Sequence, residues 1–256
     1  MSSQMHNKFQ WCSQLAAGLI ACTALSPIAA QAANPACAIK SGFMRTPVIE
    51  LYTSEGCSSC PPADKWLSTL KGKPVVAQAF HVAYWDYIGW KDKFAQPEFA
   101  ARQKDIAAHN GLAGIYTPQL VRNGQDWHDY GRAAVADQPA RAALAMQRLG
   151  EADAFEAVVE PADSQAPWTA YWSVTEDAHA TRVRAGENAG ETLKHDFVVR
   201  QFIPVGRYQG AQVLKFYAVA APPEHPRRVN LVVSDARSGE RSEGNTSESP
   251  SLAKHR

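Results

Sequence analysis

Two cysteines separated by two residues, Cys57-Ser58-Ser59-Cys60, are the side chains whose types and spacing most directly suggest chemistry. At that spacing one thiolate attacks a substrate disulfide and the other resolves the mixed disulfide, provided that the turn lowers the pKa of Cys57. A turn that opens a helix favours the thiolate, because the first backbone N–H groups of a helix attract an anion. Pro61 and Pro62 weaken that aid: neither donates an N–H, and Pro61 is expected to push Cys60 away from helical geometry. Two other uses of the pair stay open. One is a purely structural disulfide. The other is a copper-binding or metal-delivery site in which Cys57 and Cys60 join His81 as soft ligands. A four-cysteine zinc site is excluded, since no second Cys-x-x-Cys exists.

The elements that must position these residues follow from the pattern. Pro47 to Tyr52 reads as a short strand. Trp66, Leu67 and Leu70 recur at helical spacing before Gly72 and Pro74, and Val75 to Val82 is a second, largely apolar strand. The cysteines therefore fall at the first turn of a βαβ unit, and His81 falls at the end of its second strand. Tyr84, Trp85, Tyr87 and Trp90 supply an aromatic stretch that could wall a peptide substrate. Asp86 is a candidate proton acceptor for Cys60. Pro97 to His109 reads as a helix with proline in its first turn. Asn123-Gly124 marks a two-residue hairpin, and Ala140 to Leu149 reads as an Ala-rich helix. From Phe155 the period changes to two, with strands expected near 168–174, 179–184, 197–203, 213–220 and 229–233. The turn Gly186-Glu187-Asn188 is a candidate contact between the two halves.

Composition narrows the class. The chain has 256 residues, 45% of them apolar, with 26 basic against 25 acidic side chains. So balanced a charge argues against nucleic acid and against docking on an anionic membrane. The N-terminus carries Lys8, an apolar run from Leu15 to Ala30 and the small residues Ala30-Gln31-Ala32, as a secretory signal does. Cleavage is expected after Ala32 or Ala33. Leu19-Ile20-Ala21-Cys22 supplies an alternative, a lipoprotein box with Cys22 as the lipid carrier. Nothing later is apolar for long enough to span a bilayer. Export removes Cys12 and Cys22, leaving Cys57 to pair with Cys60 and Cys37 as the spare. Residues 238–256 are polar, with little to bury.

The segment ELYTSEGCSSCPPAD, Glu50 to Asp64, resembles the signature of an exported bacterial thioredoxin-like family known only as a domain of unknown function. The resemblance continues in His81 to Asp92, in Tyr116-Thr117-Pro118-Gln119 and in Arg184 to Leu193. One departure is Ala83, where the family usually has Asp. If that carboxylate assists proton transfer, its loss here bears on activity. The resemblance implies an α/β fold: a thioredoxin-like domain with a helical insertion over residues 45–150, then a smaller all-β domain over 151–237. It also implies a cis Pro118 that, with Thr117 and Trp85, holds substrate beside catalytic Cys57 and Cys60. The expected function is thiol–disulfide exchange on periplasmic or secreted protein thiols or disulfides, with no cofactor. The alternatives are the copper module and a non-catalytic interaction protein. Substrate and oligomeric state are not encoded in these motifs.

Overall fold

The computed structural model describes residues 38–130, 136, 138–150, 153–220 and 224–236. The segment expected to be a secretory signal, Cys12, Cys22, Cys37 and the polar tail lie outside the described residues. In chain order, β1 (Ala38–Lys40) and β2 (Val48–Thr53) precede α1 (Pro61–Ser68) and β3 (Val76–His81). A 3₁₀ segment, Ala83–Ile88, leads to α2 (Pro97–His109), β4 (Gln119–Arg122) and β5 (Gln125–Asp126). Eight strands follow: β6 (Ala142–Leu149), β7 (Ala154–Pro161), β8 (Trp168–Glu176), β9 (His179–Arg182), β10 (Thr192–His195), β11 (Val198–Tyr208), β12 (Gln212–Tyr217) and β13 (Arg227–Asp235). Among the described residues no helix is long and apolar enough to cross a membrane.

The expected α/β architecture is not the one the chain adopts. It is mostly β: thirteen strands stand against two α-helices among the described residues. Seven strands from both halves form one mixed sheet, in the order β13-β8-β11-β3-β2-β4-β5. The halves join where β11 runs parallel to β3, with Val198 opposite Ala79 and Ala79 N–H donating to Phe197 O at 2.8 Å. A four-stranded sheet, β1-β6-β7-β12, packs on the far end through Leu144, Met146, Phe155 and Leu214 against Trp172 and Leu231. The stretch expected as an Ala-rich helix is β6. Its Leu144 and Met146 alternate into that core, and its backbone pairs with β7 along all eight residues. Long-range pairing here overrides alanine's helix propensity.

The local signals near the cysteines match their elements. Pro97 and Pro61 each open a helix, where proline's missing N–H costs nothing. Asn123 and Gly124 take φ values of 51° and 78°, the left-handed pair of a primed hairpin turn. Along β2, Ile49 and Leu51 face α1 while Tyr52 packs with Phe80 and α2's Phe99 and Ile106. Along β3, Ala77 and Ala79 share the α1 side and Phe80 the α2 side. That alternation sets everything below, because successive residues of one strand face opposite layers.

Candidate functional site

Cys57 and Cys60 form a disulfide, with Cα atoms 5.4 Å apart, between the end of β2 and the start of α1. Cys60 is the helix N-cap with φ −76° and ψ −38°, so Pro61 does not displace it from helical geometry. Proline occupies the first turn instead, where its ring has no preceding helical carbonyl to meet. Both sulfur-bearing residues are buried, at 0% and 1% exposure, so the reactive thiol that the motif suggests is not at the surface. Ser58 and Ser59 are the exposed part of the turn, and the Ser59 hydroxyl donates to Cys57 Sγ at 3.4 Å.

The turn is held from outside by the loop between β9 and β10. Asn188 Nδ2 donates to the carbonyls of Glu55 and Cys57, both at 2.9 Å, and Glu187 Oε2 accepts from Ser58 N–H at 3.0 Å. That bond holds the Glu187 carboxyl below its ordinary range. The 3₁₀ segment fills the remaining side. A Cβ on Gly56 would lie 3.1 Å from Trp85 Cβ, and one on Gly186 would lie 3.2 Å from Ile88. Close approach therefore favours glycine at both positions, and Gly186 is further favoured by its φ of 77°. Trp85 Nε1 donates to Thr117 Oγ1 at 2.7 Å, and the Thr117–Pro118 bond is cis. Trp85 thus links the cysteine turn to the Thr117-Pro118 segment, while exposed Tyr87 stacks on it with ring centroids 6.5 Å apart.

Around the turn lies a buried cluster of acids and imidazoles. Alternation along β2 and β3 puts Thr53 and His81 on the α1 side, where α1 contributes Asp64 and β10 contributes His195. The Thr53 hydroxyl donates to Asp64 Oδ2 at 2.7 Å. His81 Nδ1 donates to Asp92 Oδ2 at 2.7 Å, and Asp92 also accepts from the N–H groups of Glu55 and Phe94. His195 Nδ1 donates to Asp64 Oδ1 at 3.4 Å, and its Nε2 faces Glu55 Oε1 at 3.4 Å. Glu55 Oε2 accepts from Trp90 Nε1 at 2.8 Å. Burial opposes charge on His195, but the Asp64 and Glu55 carboxylates outweigh it and raise its pKa to about 9. Burial likewise opposes ionisation of Glu55 and Asp92, yet His195 lowers the first and His81 lowers the second.

Residues 48–234 match the profile of a family described as protein of unknown function, DUF1223. The chain belongs to that family. No curated protein matches it. A crystal structure of a protein from Agrobacterium tumefaciens is similar over 82% of this chain and 96% of its own, at 23% identity and a TM-score of 0.61. HBP35 of Porphyromonas gingivalis is similar over 84% of this chain and 80% of its own, at 13% identity and a TM-score of 0.57. At these identities the likeness is one of fold.

The structure brings Cys57, Cys60, Trp85 and Thr117 together and places His81 among acids. His81 groups with Asp64 and His195, each offering a ligand atom within 4.8 Å of the others. Asp86 caps the segment that follows it, accepting from Asp92 N–H at 3.2 Å. Sequence reading missed Glu55, Asp64, Asp92 and His195. The first two stand inside the quoted signature, flanking the cysteines, which was the available signal.

Proposed function

We propose that the chain is a thiol–disulfide oxidoreductase that acts on exported protein thiols or disulfides through Cys57 and Cys60. The observation that carries this reading is the short span of the crosslink, which joins residues three apart in sequence. Closing so small a loop removes little freedom from the unfolded chain, about 2 kcal/mol against about 4.7 kcal/mol for a hundred-residue loop. A bond of that span is a weak staple, and it keeps two thiols adjacent through both halves of an exchange cycle. In this reading Trp85, Thr117 and Pro118 offer a platform for substrate, and access to Cys57 requires the loop bearing Glu187 and Asn188 to release the turn.

Burial of both sulfurs favours a second reading, a non-catalytic protein with a structural disulfide, since buried cysteines are inert. One measurement separates the two. A Cys57–Cys60 potential between about −120 and −270 mV, with exchange against a model disulfide that Cys57→Ser abolishes, is expected for the oxidoreductase. A potential below about −300 mV without exchange establishes the structural reading.

A further inference from the structure

We propose that Asp64, His81 and His195 form a binding site for a divalent first-row transition-metal cation, separate from the Cys57–Cys60 pair. The site does not depend on thiol–disulfide exchange at the cysteines. The three residues come from α1, β3 and β10, and one ligand atom from each lies within 4.8 Å of the other two. Ligands about 2 Å from one zinc ion lie roughly 3.4 Å apart in tetrahedral geometry, so small side-chain adjustments close this set.

An orphaned atom supplies the second observation. His81 is fully buried and its Nε2 has no hydrogen-bond partner among the described residues, although Nδ1 is fixed by Asp92. A carboxylate behind one imidazole nitrogen, with the other left bare, is how proteins orient a metal ligand. His195 is held less firmly: its Nδ1 meets Asp64 Oδ1 and its Nε2 meets Glu55 Oε1, each at 3.4 Å, the Nε2–Glu55 pair without hydrogen-bond geometry. Burying a polar atom with nothing to pair it, as at His81 Nε2, costs free energy.

Charge gives the same answer. Three buried carboxylates, Glu55, Asp64 and Asp92, face two imidazoles, an excess of acid that a dication bound by neutral imidazoles would cut from three charges to one. Two imidazoles and one carboxylate suit zinc and its neighbours, with a further coordination position left open.

The test is a titration of the purified protein, its disulfide intact, with zinc by calorimetry and with cobalt by visible absorption. One equivalent of each is expected, with cobalt d–d bands and no thiolate charge-transfer band. His195→Gln and Asp64→Asn are each expected to weaken zinc binding at least about 100-fold, and Asp92→Asn about 10- to 100-fold. The double variant Cys57→Ser/Cys60→Ser is expected to bind as the parent does. Absence of stoichiometric binding by the parent protein overturns the proposal whether or not the variants fold. So does binding that survives His195→Gln in a folded variant, or binding that disappears with the cysteines.

Discussion

Strands β2 and β3 carry two buried charged clusters, one on each face, and the two are built on different terms. On the α2 face, Arg102 grips Glu50 with two bonds of 3.0 and 2.7 Å, and the hydroxyls of Tyr52 and Tyr171 donate to the same carboxylate at 2.8 and 3.1 Å. Gln78 Nε2 donates to the Tyr171 hydroxyl at 2.8 Å, and the guanidinium lies 4.5 Å from the centre of the Tyr171 ring. Burial opposes the guanidinium charge, but Glu50 more than offsets it and raises the Arg102 pKa well above its ordinary value. Only Gln78 Oε1 lacks a partner there among the described residues. On the α1 face, by contrast, His81 Nε2 has none, and His195 Nε2 and Glu55 Oε1 meet only each other, at 3.4 Å, without hydrogen-bond geometry. A buried charge that is closely hydrogen-bonded is architecture; a cluster with an orphaned imidazole nitrogen and a loose ion pair can take a ligand.

The largest expected effect breaks the saturated cluster. Arg102→Met leaves Glu50 buried without its cation and is expected to cost about 3–5 kcal/mol in chemical denaturation. Asp64→Asn on the other face keeps an acceptor for Thr53 and removes one acid from an acid-rich cluster. It also takes one of the two carboxylates that hold His195 charged, while Glu55 stays, so the metal-free protein is expected to lose about 1–2 kcal/mol at neutral pH, less than at Arg102. Equal losses at the two positions would erase the distinction between the faces.

The saturated face was the more hidden of the two in the sequence. Glu50 and Gln78 sit inside runs that read simply as strands, and Arg102 sits inside a well-signalled helix. Their meeting depends on pairing between elements, which no local pattern records. The same holds for the sheet: β2, α1, β3, α2 and the Asn123-Gly124 turn announce themselves through proline, glycine and periodicity. The union of β11 with β3 has no local signature, and it is what joins strands of both halves in one mixed sheet. Ala142–Leu149 misled because alanine favours helix in isolation, whereas Leu144 and Met146 obey the period of a strand. At the site, Cys57 and Cys60 were legible from spacing alone. His195 was not, since its partner Asp64 is 131 residues away.

The hold on the cysteine turn sharpens the comparison, because it belongs to the unsaturated face. Asn188→Ala frees the carbonyls of Glu55 and Cys57 and is expected to cost about 1–2 kcal/mol. More tellingly, it is expected to speed reduction of the Cys57–Cys60 bond by dithiothreitol several-fold, as the buried sulfurs gain access. Arg102→Lys, acting on the far face, is expected to leave that rate unchanged. A variant at Asn188 that loses stability without faster reduction would show that the loop supports the fold and does not guard the disulfide.

Glu187 gives the smallest effect, and it carries a pH signature. Its carboxyl is held below its ordinary value of 4.5, first by the Ser58 N–H and then by the Ser58 hydroxyl. A depressed acid contributes above its unfolded value, and the contribution fades as pH falls through the lower folded value. The Ser58 contact is therefore intact at neutral pH and released only in acid, below 4.5. Reduction of the disulfide by a phosphine, followed across that window, is expected to accelerate modestly on acidification in the parent protein. Glu187→Gln keeps an acceptor but has no proton to gain, so its rate is expected to vary less with pH. Parallel profiles for the two proteins would mean that Asn188 alone holds the turn, and that the charge on Glu187 does not contribute to the grip.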